Sequence, residues 1–381
     1  MSGFSIVHII PRLGFGGAER LVIDIVKELS KYSNITCTLV ALHPSQKDFN
    51  TVENTKGISY LELDYYKIKN KEKRVDFLFD ELQKINPNII HTHLFEAELL
   101  VRKKLIEGVK YYTHCHDNMW QLNIKTATFK FSFKQKLLAL YESKKLISSY
   151  KKCANFFIYI SDDTEDFYQK NLPKKLSDKG CVIHNAIDYK KFYNACQKQL
   201  KSSIVKFVNV GSLVNKKNQQ FLIDVMIELK KRNVEFELNL LGDGPNRGLI
   251  NEKIKINNLE NNVHLLGNVT NVESYLFKSD IYLHSATYEP FGLVLLEAMA
   301  AGLPTVCYNG KGNADIIEDD KNGYILTTPT PQEFADKIML LLNDKTKYEA
   351  ISEYAKLYAE KFDITHYAVK LLELYNSNHL I

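Results

Sequence analysis

The chain opens twice on the same plan. Phe4–Ile10 is an apolar run that ends at the turn Gly14-Phe15-Gly16-Gly17 and continues into the helix pattern Ala18–Leu29. Val205–Val210 is a second such run, followed by Gly211-Ser212-Leu213 and the helix pattern Asn218–Leu229. Within these helices, Leu21–Leu29 and Phe221–Leu229 agree in apolar and polar pattern at every position but one, where Lys27 stands opposite Ile227. Strand, glycine turn and amphipathic helix together are how a nucleotide-binding α/β unit begins. A chain that begins this way twice is expected to fold as two such units.

The strand signals that follow support this. In the first half they are Thr36–Leu42, Ile58–Leu63, Asn88–Thr92, Val109–Thr113, Phe156–Ile160 and Cys181–His184. In the second half they are Phe236–Leu241, Val263–Leu266, Ile281–His284, Thr305–Tyr308 and Tyr324–Leu326. Short, continuously apolar strands separated by helix-length patterns suit parallel sheets covered on both faces. The expected fold class is α/β: two doubly wound, Rossmann-like domains facing across a cleft, where the strand C-termini bind ligands. At 381 residues each domain can bury its own core. The expected division is 1–188 and 189–361, with 362–381 a C-terminal helix packing back on the first domain.

Composition narrows the class. A hydrophobic content of 45% and a charged content of 25% are those of a globular protein. The six cysteines are scattered without a C-x-x-C pair or a zinc-like His spacing, and read as reduced cytosolic thiols. No run of 18 apolar residues exists to span a bilayer, and Phe4–Ile10 lacks the basic lead of a signal peptide. Net charge is uneven. Residues 1–200 carry 31 Lys+Arg against 22 Asp+Glu (+9) and residues 201–381 carry 19 against 23 (−4), which sums to the +5 of the whole. Between Trp120 and Lys152, Lys125, Lys130, Lys134, Lys136, Lys144, Lys145, Lys151 and Lys152 face one acid, Glu142. Phe129, Phe131, Phe133, Leu137, Leu138, Leu140 and Tyr141 are interleaved. Such a segment suits an anionic lipid surface, or a solvated helix with its apolar side on its own domain. No nucleic-acid recognition module accompanies it. A dinucleotide oxidoreductase is disfavoured, because Gly14-x-Gly16-x-x-Glu19 lacks the third glycine and no acid follows the second strand.

The densest chemical signal is Tyr288-Glu289-Pro290-Phe291-Gly292-Leu293-Val294-Leu295-Leu296-Glu297, running on to Gly302-Leu303-Pro304. Pro290 suits the first turn of a helix and Gly302 its end. On one helix, positions 289 and 297 differ by about 800° of rotation, placing the two acids roughly 80° apart. A carboxylate inside an apolar helix is costly unless something bonds it, so Glu297 is a ligand-binding candidate.

These residues carry a resemblance. Gly16-Gly17-Ala18-Glu19, Val182–Asp188, Val210–Asn218, Leu241-Gly242-Asp243-Gly244-Pro245 and the Glu289–Glu297 stretch, in this order, resemble the retaining glycosyltransferases of family 4, with the GT-B fold. The resemblance covers nearly the whole chain. It implies that Glu297 bonds the ribose hydroxyls of a nucleotide-sugar and that Glu289 bonds hydroxyls of the transferred sugar. The N–H groups of Phe291, Gly292 and Leu293 would be presented at a helix start. It also implies Lys217 facing the diphosphate, where a fixed cation stabilises the departing charge. Gly16, Gly17, Gly211 and Ser212 would let backbone approach the donor. The family often has arginine at Ser212, so here Lys217 and Lys216 would carry more of the diphosphate charge.

His116, in Tyr112–Asp117, matches the family's active-site histidine beside the reacting sugar, and His93, in Ile89–His93, falls on the acceptor side. The histidines could suggest a metal, but no Cys or carboxylate completes a ligand set and no Asp-x-Asp signature is present, so neither metal nor cofactor is expected. The resemblance implies a retaining, metal-independent hexosyltransferase moving a sugar from a nucleotide-sugar, UDP-sugar favoured, to a lipid-linked cell-surface glycan such as O-antigen or capsule. Its expected location is the cytoplasmic face of the membrane, held peripherally through 120–152. A GT-B epimerase and a non-catalytic nucleotide-sugar-binding subunit are the alternatives.

Overall fold

The computed structural model describes residues 4–14, 16–45, 58–123, 132–200 and 202–377. It divides into two compact units, one of residues 1–185 with 367–381 and the other of residues 186–366.

The first unit is built on β1 (Phe4–Ile10), β2 (Ile35–Ala41), β3 (Ser59–Glu62), β4 (Ile89–His93), β5 (Lys110–Cys115), β6 (Phe156–Tyr159) and β7 (Gly180–Val182). All pair in parallel, in the order β3-β2-β1-β4-β5-β6-β7. The second unit has β8 (Val205–Val210), β9 (Phe236–Leu241), β10 (Val263–Gly267), β11 (Ile281–His284), β12 (Thr305–Tyr308) and β13 (Gly323–Leu326), ordered β10-β9-β8-β11-β12-β13. Each sequence-predicted strand is present, with ends shifted by a residue or two. In both sheets the order reverses beside the unit's first strand, and this is where doubly wound sheets open a ligand crevice.

The repeated helix is equally plain in the packing. In Gly17–Leu29 the buried positions include Val22, Ile23, Ile25, Val26 and Leu29. In Gln219–Lys231 they include Leu222, Ile223, Val225, Met226 and Leu229. The same apolar stripe lies against each sheet because the period of 3.6 fixes which side chains share a face.

The helix Phe133–Lys152 begins at a capping box formed by Ser132 and Gln135. It buries one stripe, Ala139, Ser143, Leu146 and Tyr150. Its first half leaves Phe133, Leu137, Leu138, Leu140 and Tyr141 each at least half exposed, beside exposed Lys134, Lys136, Lys144 and Lys145. Lys125, Phe129, Lys130 and Phe131 lie outside the described residues. No helix among the described residues is long and apolar enough to cross a membrane.

A polar knot ties the first unit together. Arg102 forms an ion pair with Glu98 at 2.9 Å, both side chains fully buried. The guanidinium also donates to Thr92 (2.8 Å), Thr113 (3.0 Å) and Asn155 (2.6 Å), while Thr113 donates to Glu98 at 2.6 Å. Burial favours neutral Glu98 and raises its pKa, against the pull of Arg102. A charge buried this deeply persists because nearly every donor and acceptor in the knot is used.

Candidate active site

The second unit places its candidate side chains at the switch point, on the loops after β8 and β11. The turn Asn215–Lys217 is held to the loop after β11 by three contacts. Ser285 donates its hydroxyl to the Lys217 carbonyl at 2.8 Å, and Thr287 donates its N–H (2.9 Å) and hydroxyl (3.3 Å) to the Lys216 carbonyl. This brings the Lys217 ammonium onto the Glu289 carboxylate as a hydrogen-bonded ion pair. The backbone of Glu289 is fixed in turn, its N–H donating to the Gly310 carbonyl at 2.7 Å.

His284, at the end of β11, completes the cluster. Its Nε2 lies 3.3 Å from Glu289, and the ring is 1% exposed. That approach is too poorly aligned for a full hydrogen bond, and Nδ1 also has no hydrogen-bond partner. Burial opposes ionisation of Glu289, but Lys217 and then His284 outweigh it and hold the carboxyl far below the usual carboxylate range. Burial also lowers the pKa of His284, partly offset by Glu289. The cluster is therefore one carboxylate with one ammonium and a neutral imidazole at its edge.

Gly211 and Ser212 stand at the end of β8, interlocked with the Leu241–Pro245 motif. Gly211 donates to Leu241 O at 2.9 Å and Leu213 to Asp243 O at 3.0 Å. Gly242 has φ +130°, and a Cβ there would fall 2.2 Å from the Gly211 carbonyl oxygen, so no other residue fits. The two glycine motifs are one structure.

The acids at 289 and 297 do not share a helix. The helix begins at Leu293, after Gly292 at φ +103°, so Pro290 does not occupy its first turn. The rotation inferred for a continuous helix fails for that reason: the left-handed Gly292 breaks it, and Glu289 is instead bridged to Lys311. A Cβ on Gly312 would lie 1.8 Å from the Pro290 carbonyl oxygen, so this loop is packed against the segment before the helix. Glu297 is on the helix and 2% exposed. Leu293 is its first residue and Phe291 is buried just ahead of it.

In the first unit, Gly16 caps the helix Gly17–Leu29, and both glycines are exposed. The Glu19 side chain folds back over Gly16, where a Cβ would lie 2.1 Å from its carboxylate. Burial raises the pKa of Glu19.

The histidines form a larger cluster than sequence indicated. Alternation places His91 and His93 on one face of β4, and parallel register sets His8 beside His91 and His114 beside His93. His116, just past β5, continues the row. His8 Nδ1 is 2.9 Å from His93 Nε2, and His93 Nδ1 is 2.8 Å from His116 Nε2. On the flanks, His91 Nδ1 is 2.6 Å from the hydroxyl of Tyr375, and His114 Nε2 is 3.3 Å from Asn185 Oδ1. Burial lowers the pKa of all five, to about 3 for His8 and about 4 for His114, and the proximity of other imidazoles adds to this at four of them. All are neutral rings at physiological pH.

His93 is thus corrected as an acceptor contact: it is 0% exposed with both nitrogens engaged by histidines. His8 and His284 were missed, each a single histidine in an apolar strand with no motif to mark it. Two triplets, His8/His91/His93 and His93/His114/His116, bring ligand atoms within 4.8 Å of one another, all from neutral imidazoles.

Comparison with known proteins bears on the family and the fold. Residues 15–191 match the family model of Glycosyltransferase Family 4, and residues 196–358 match that of Glycosyl transferases group 1. The N-acetylgalactosamine-N,N'-diacetylbacillosaminyl-diphospho-undecaprenol 4-alpha-N-acetylgalactosaminyltransferase of Campylobacter jejuni is 26% identical over 92% of this chain and 93% of its own. The poly(ribitol-phosphate) alpha-N-acetylglucosaminyltransferase of Staphylococcus aureus is 31% identical over 51% of this chain, which spans only 40% of that enzyme's length. Among solved structures, HepE of Anabaena in complex with UDP has a TM-score of 0.79 at 18% identity, covering 98% of this chain and 100% of its own. WaaG, a glycosyltransferase involved in lipopolysaccharide biosynthesis, has a TM-score of 0.71 at 16% identity, covering 97% and 99%. With two parallel Rossmann-like sheets and both family models matched in order along the chain, the protein belongs to the group 1 glycosyltransferases of GT-B fold.

Proposed function

We propose that the protein transfers a sugar from a UDP-sugar to a lipid-linked glycan, such as a precursor of O-antigen or capsule, with retention at the anomeric carbon and without a metal ion. The observation that carries this is the Lys217–Glu289 pair with His284, built at the switch point of the second sheet. Without ligand, the ammonium and carboxylate satisfy one another. When donor binds, Lys217 turns to the diphosphate and Glu289 accepts hydrogen bonds from sugar hydroxyls. Glu297 holds the ribose, while Gly211, Ser212 and the N–H groups of Phe291, Gly292 and Leu293 line the donor. Gly16 and Gly17 add exposed backbone for the diphosphate, and His116 serves the transferred sugar. The bond from the anomeric carbon to the diphosphate oxygen breaks and a bond to the acceptor hydroxyl forms on the same face. The hydroxyl proton passes to the departing phosphate, giving glycoside and UDP. Lys217 stabilises the charge that grows on the diphosphate.

Two comparisons support the choice of substrates. HepE was solved with UDP-glucose, and the Campylobacter relative is named for a diphospho-undecaprenol acceptor. The exposed apolar residues and lysines of Phe133–Lys152 support docking on the anionic cytoplasmic leaflet. Each lysine near such a surface contributes about 1 kcal/mol.

The test is incubation with a panel of radiolabelled UDP-sugars and polyprenyl-diphosphate-linked acceptors, with and without EDTA, reading the anomeric configuration of product by NMR. EDTA-insensitive transfer giving the donor's configuration is expected. Isomerised donor, or binding without turnover, would overturn the assignment. For docking, co-sedimentation with phosphatidylglycerol vesicles should weaken with salt and be lost on replacing Lys134, Lys136, Lys144 and Lys145 with Gln. Failure of the wild-type protein to co-sediment at low salt would refute it.

A further inference from the structure

His8, His93 and His116 form a hydrogen-bonded file of three rings, through contacts of 2.9 and 2.8 Å. His93 engages both nitrogens within the file, so as a neutral ring it donates to one neighbour and accepts from the other. The file therefore has one of two polarities. In one, His116 Nε2 accepts from His93 and His116 Nδ1 carries the proton. In the other, His116 donates inward and its Nδ1 is a bare lone pair.

The buried end selects between them. His8 Nε2 is buried without a hydrogen-bond partner. In the first polarity that atom is a bare lone pair, and in the second it is an N–H with nothing to receive it. Orphaned buried donors are the rarer and costlier case, as they are on the backbone. The outer end differs: His116 is 9% exposed, against 0% for His8 and His93.

We propose that His8 and His93 are positioning residues that fix His116 as the Nδ1–H tautomer, so that it presents a neutral hydrogen-bond donor to an oxygen of the transferred sugar. The orientation toward sugar rests on the reading of His116 given under Proposed function, whereas the tautomer does not. A neutral donor fits this chemistry. Positive charge develops on the sugar ring as the diphosphate leaves, and an imidazolium beside it would oppose that, while an N–H can still hold a hydroxyl in place. A bare Nδ1 would make His116 a base, for which transfer with the proton passing to phosphate has no use.

The experiment reads the tautomer directly. Protein labelled with ¹⁵N at histidine, free of substrate, is analysed by two-bond proton–nitrogen correlation, with resonances assigned from His116→Gln and His93→Phe. Wild-type His116 should show a protonated Nδ1 and a bare Nε2. His93→Phe removes the donor to Nε2, so the fixed tautomer should be lost and kcat should fall by on the order of 10- to 10²-fold with donor KM little changed. His93→Gln, whose amide can donate to the same nitrogen, should restore both. A wild-type Nε2–H tautomer would overturn the proposal, as would a tautomer unchanged in His93→Phe. Stoichiometric zinc in purified protein that is lost in His93→Phe would also overturn it, since the ion would then occupy the lone pairs that the file uses. If the tautomer is fixed as expected and is lost in His93→Phe while turnover is unchanged, the positioning role in transfer falls, along with the placing of His116 beside the sugar. Absence of any transfer by wild type, with the tautomer as expected, would instead refute the transferase reading alone.

Discussion

Removing the ammonium of Lys217 tests the donor site through stability as well as rate. Truncating one member of a fully buried ion pair costs about 3–5 kcal/mol, because the other charge is stranded. Here the side chains keep 19% and 11% exposure, so water relieves part of that. For Lys217→Met a loss of about 2–3 kcal/mol follows. Glu289→Gln should cost less, about 1–2 kcal/mol, because the long lysine can turn to solvent while the amide keeps its shape. The double variant should lose less than the sum, with a coupling of about 1–2 kcal/mol. The only tryptophan, Trp120, lies in the first unit, so its fluorescence does not report on this site. Hydrogen exchange at the amides of β8 and β11 does.

The pH dependence supplies a second signature. In wild type, Glu289 is depressed from its ordinary 4.5, so its contribution is complete above that value and is lost as pH falls toward the lower folded pKa. In Lys217→Met the largest remaining influence is burial, which raises the carboxyl pKa. The native state then holds the extra proton, and the second unit should lose stability as pH rises from 4.5 through the new pKa. Turnover should fall by on the order of 10²–10³, as for loss of one group stabilising transition-state charge. Single-variant losses that add to within about 0.3–0.5 kcal/mol in the double variant would show that the pair is not energetically coupled. The explanation of Glu289 by Lys217 would then be wrong.

Three further outcomes follow from other parts of the molecule. Glu297→Ala should keep the fold but weaken UDP binding by about 1.5–3 kcal/mol, read by calorimetry, because a hydroxyl bond to a charged acceptor is lost; unchanged affinity would remove Glu297 from the site. Arg102→Met strands Glu98 among Thr113, Tyr150 and apolar neighbours, and should destabilise the first unit by about 3–5 kcal/mol in denaturant unfolding followed by Trp120 fluorescence. Because the pKa values of Glu289 and His116 are both lowered, kcat/KM between about pH 6 and 8 should show no acid limb that vanishes in His116→Gln; such a limb would place the His116 pKa near its ordinary 6.5.

The parts of this molecule legible in its sequence are those encoded by local periodicity. The repeated helix stripes and the short apolar strands each satisfy a pattern within a dozen residues, and the fold preserves them almost unchanged. Glu289 is legible as a carboxylate ahead of an apolar helix, whereas Lys217 is reached only through the family resemblance. Their pairing was not legible, because the two are 72 residues apart in sequence and meet only through the Ser285 and Thr287 hydrogen bonds. The helix start was misplaced for a local reason. Proline at a first turn is a common preference, but Gly292 takes a left-handed φ that ends any helix reaching it from Glu289.

The histidine file shows the deeper limit. A histidine inside an apolar strand reads as an isolated polar exception, and only parallel register turns several such exceptions into one structure. His8 pairs with His91 because β1 lies beside β4, an adjacency set by the crossover order. Once the strands are placed, alternation does the rest, and a residue taken for an acceptor contact becomes a buried link between two others. Burial then removes the charge that makes histidine recognisable as an acid or base. What it leaves is direction, in which each ring can act only as its neighbour permits.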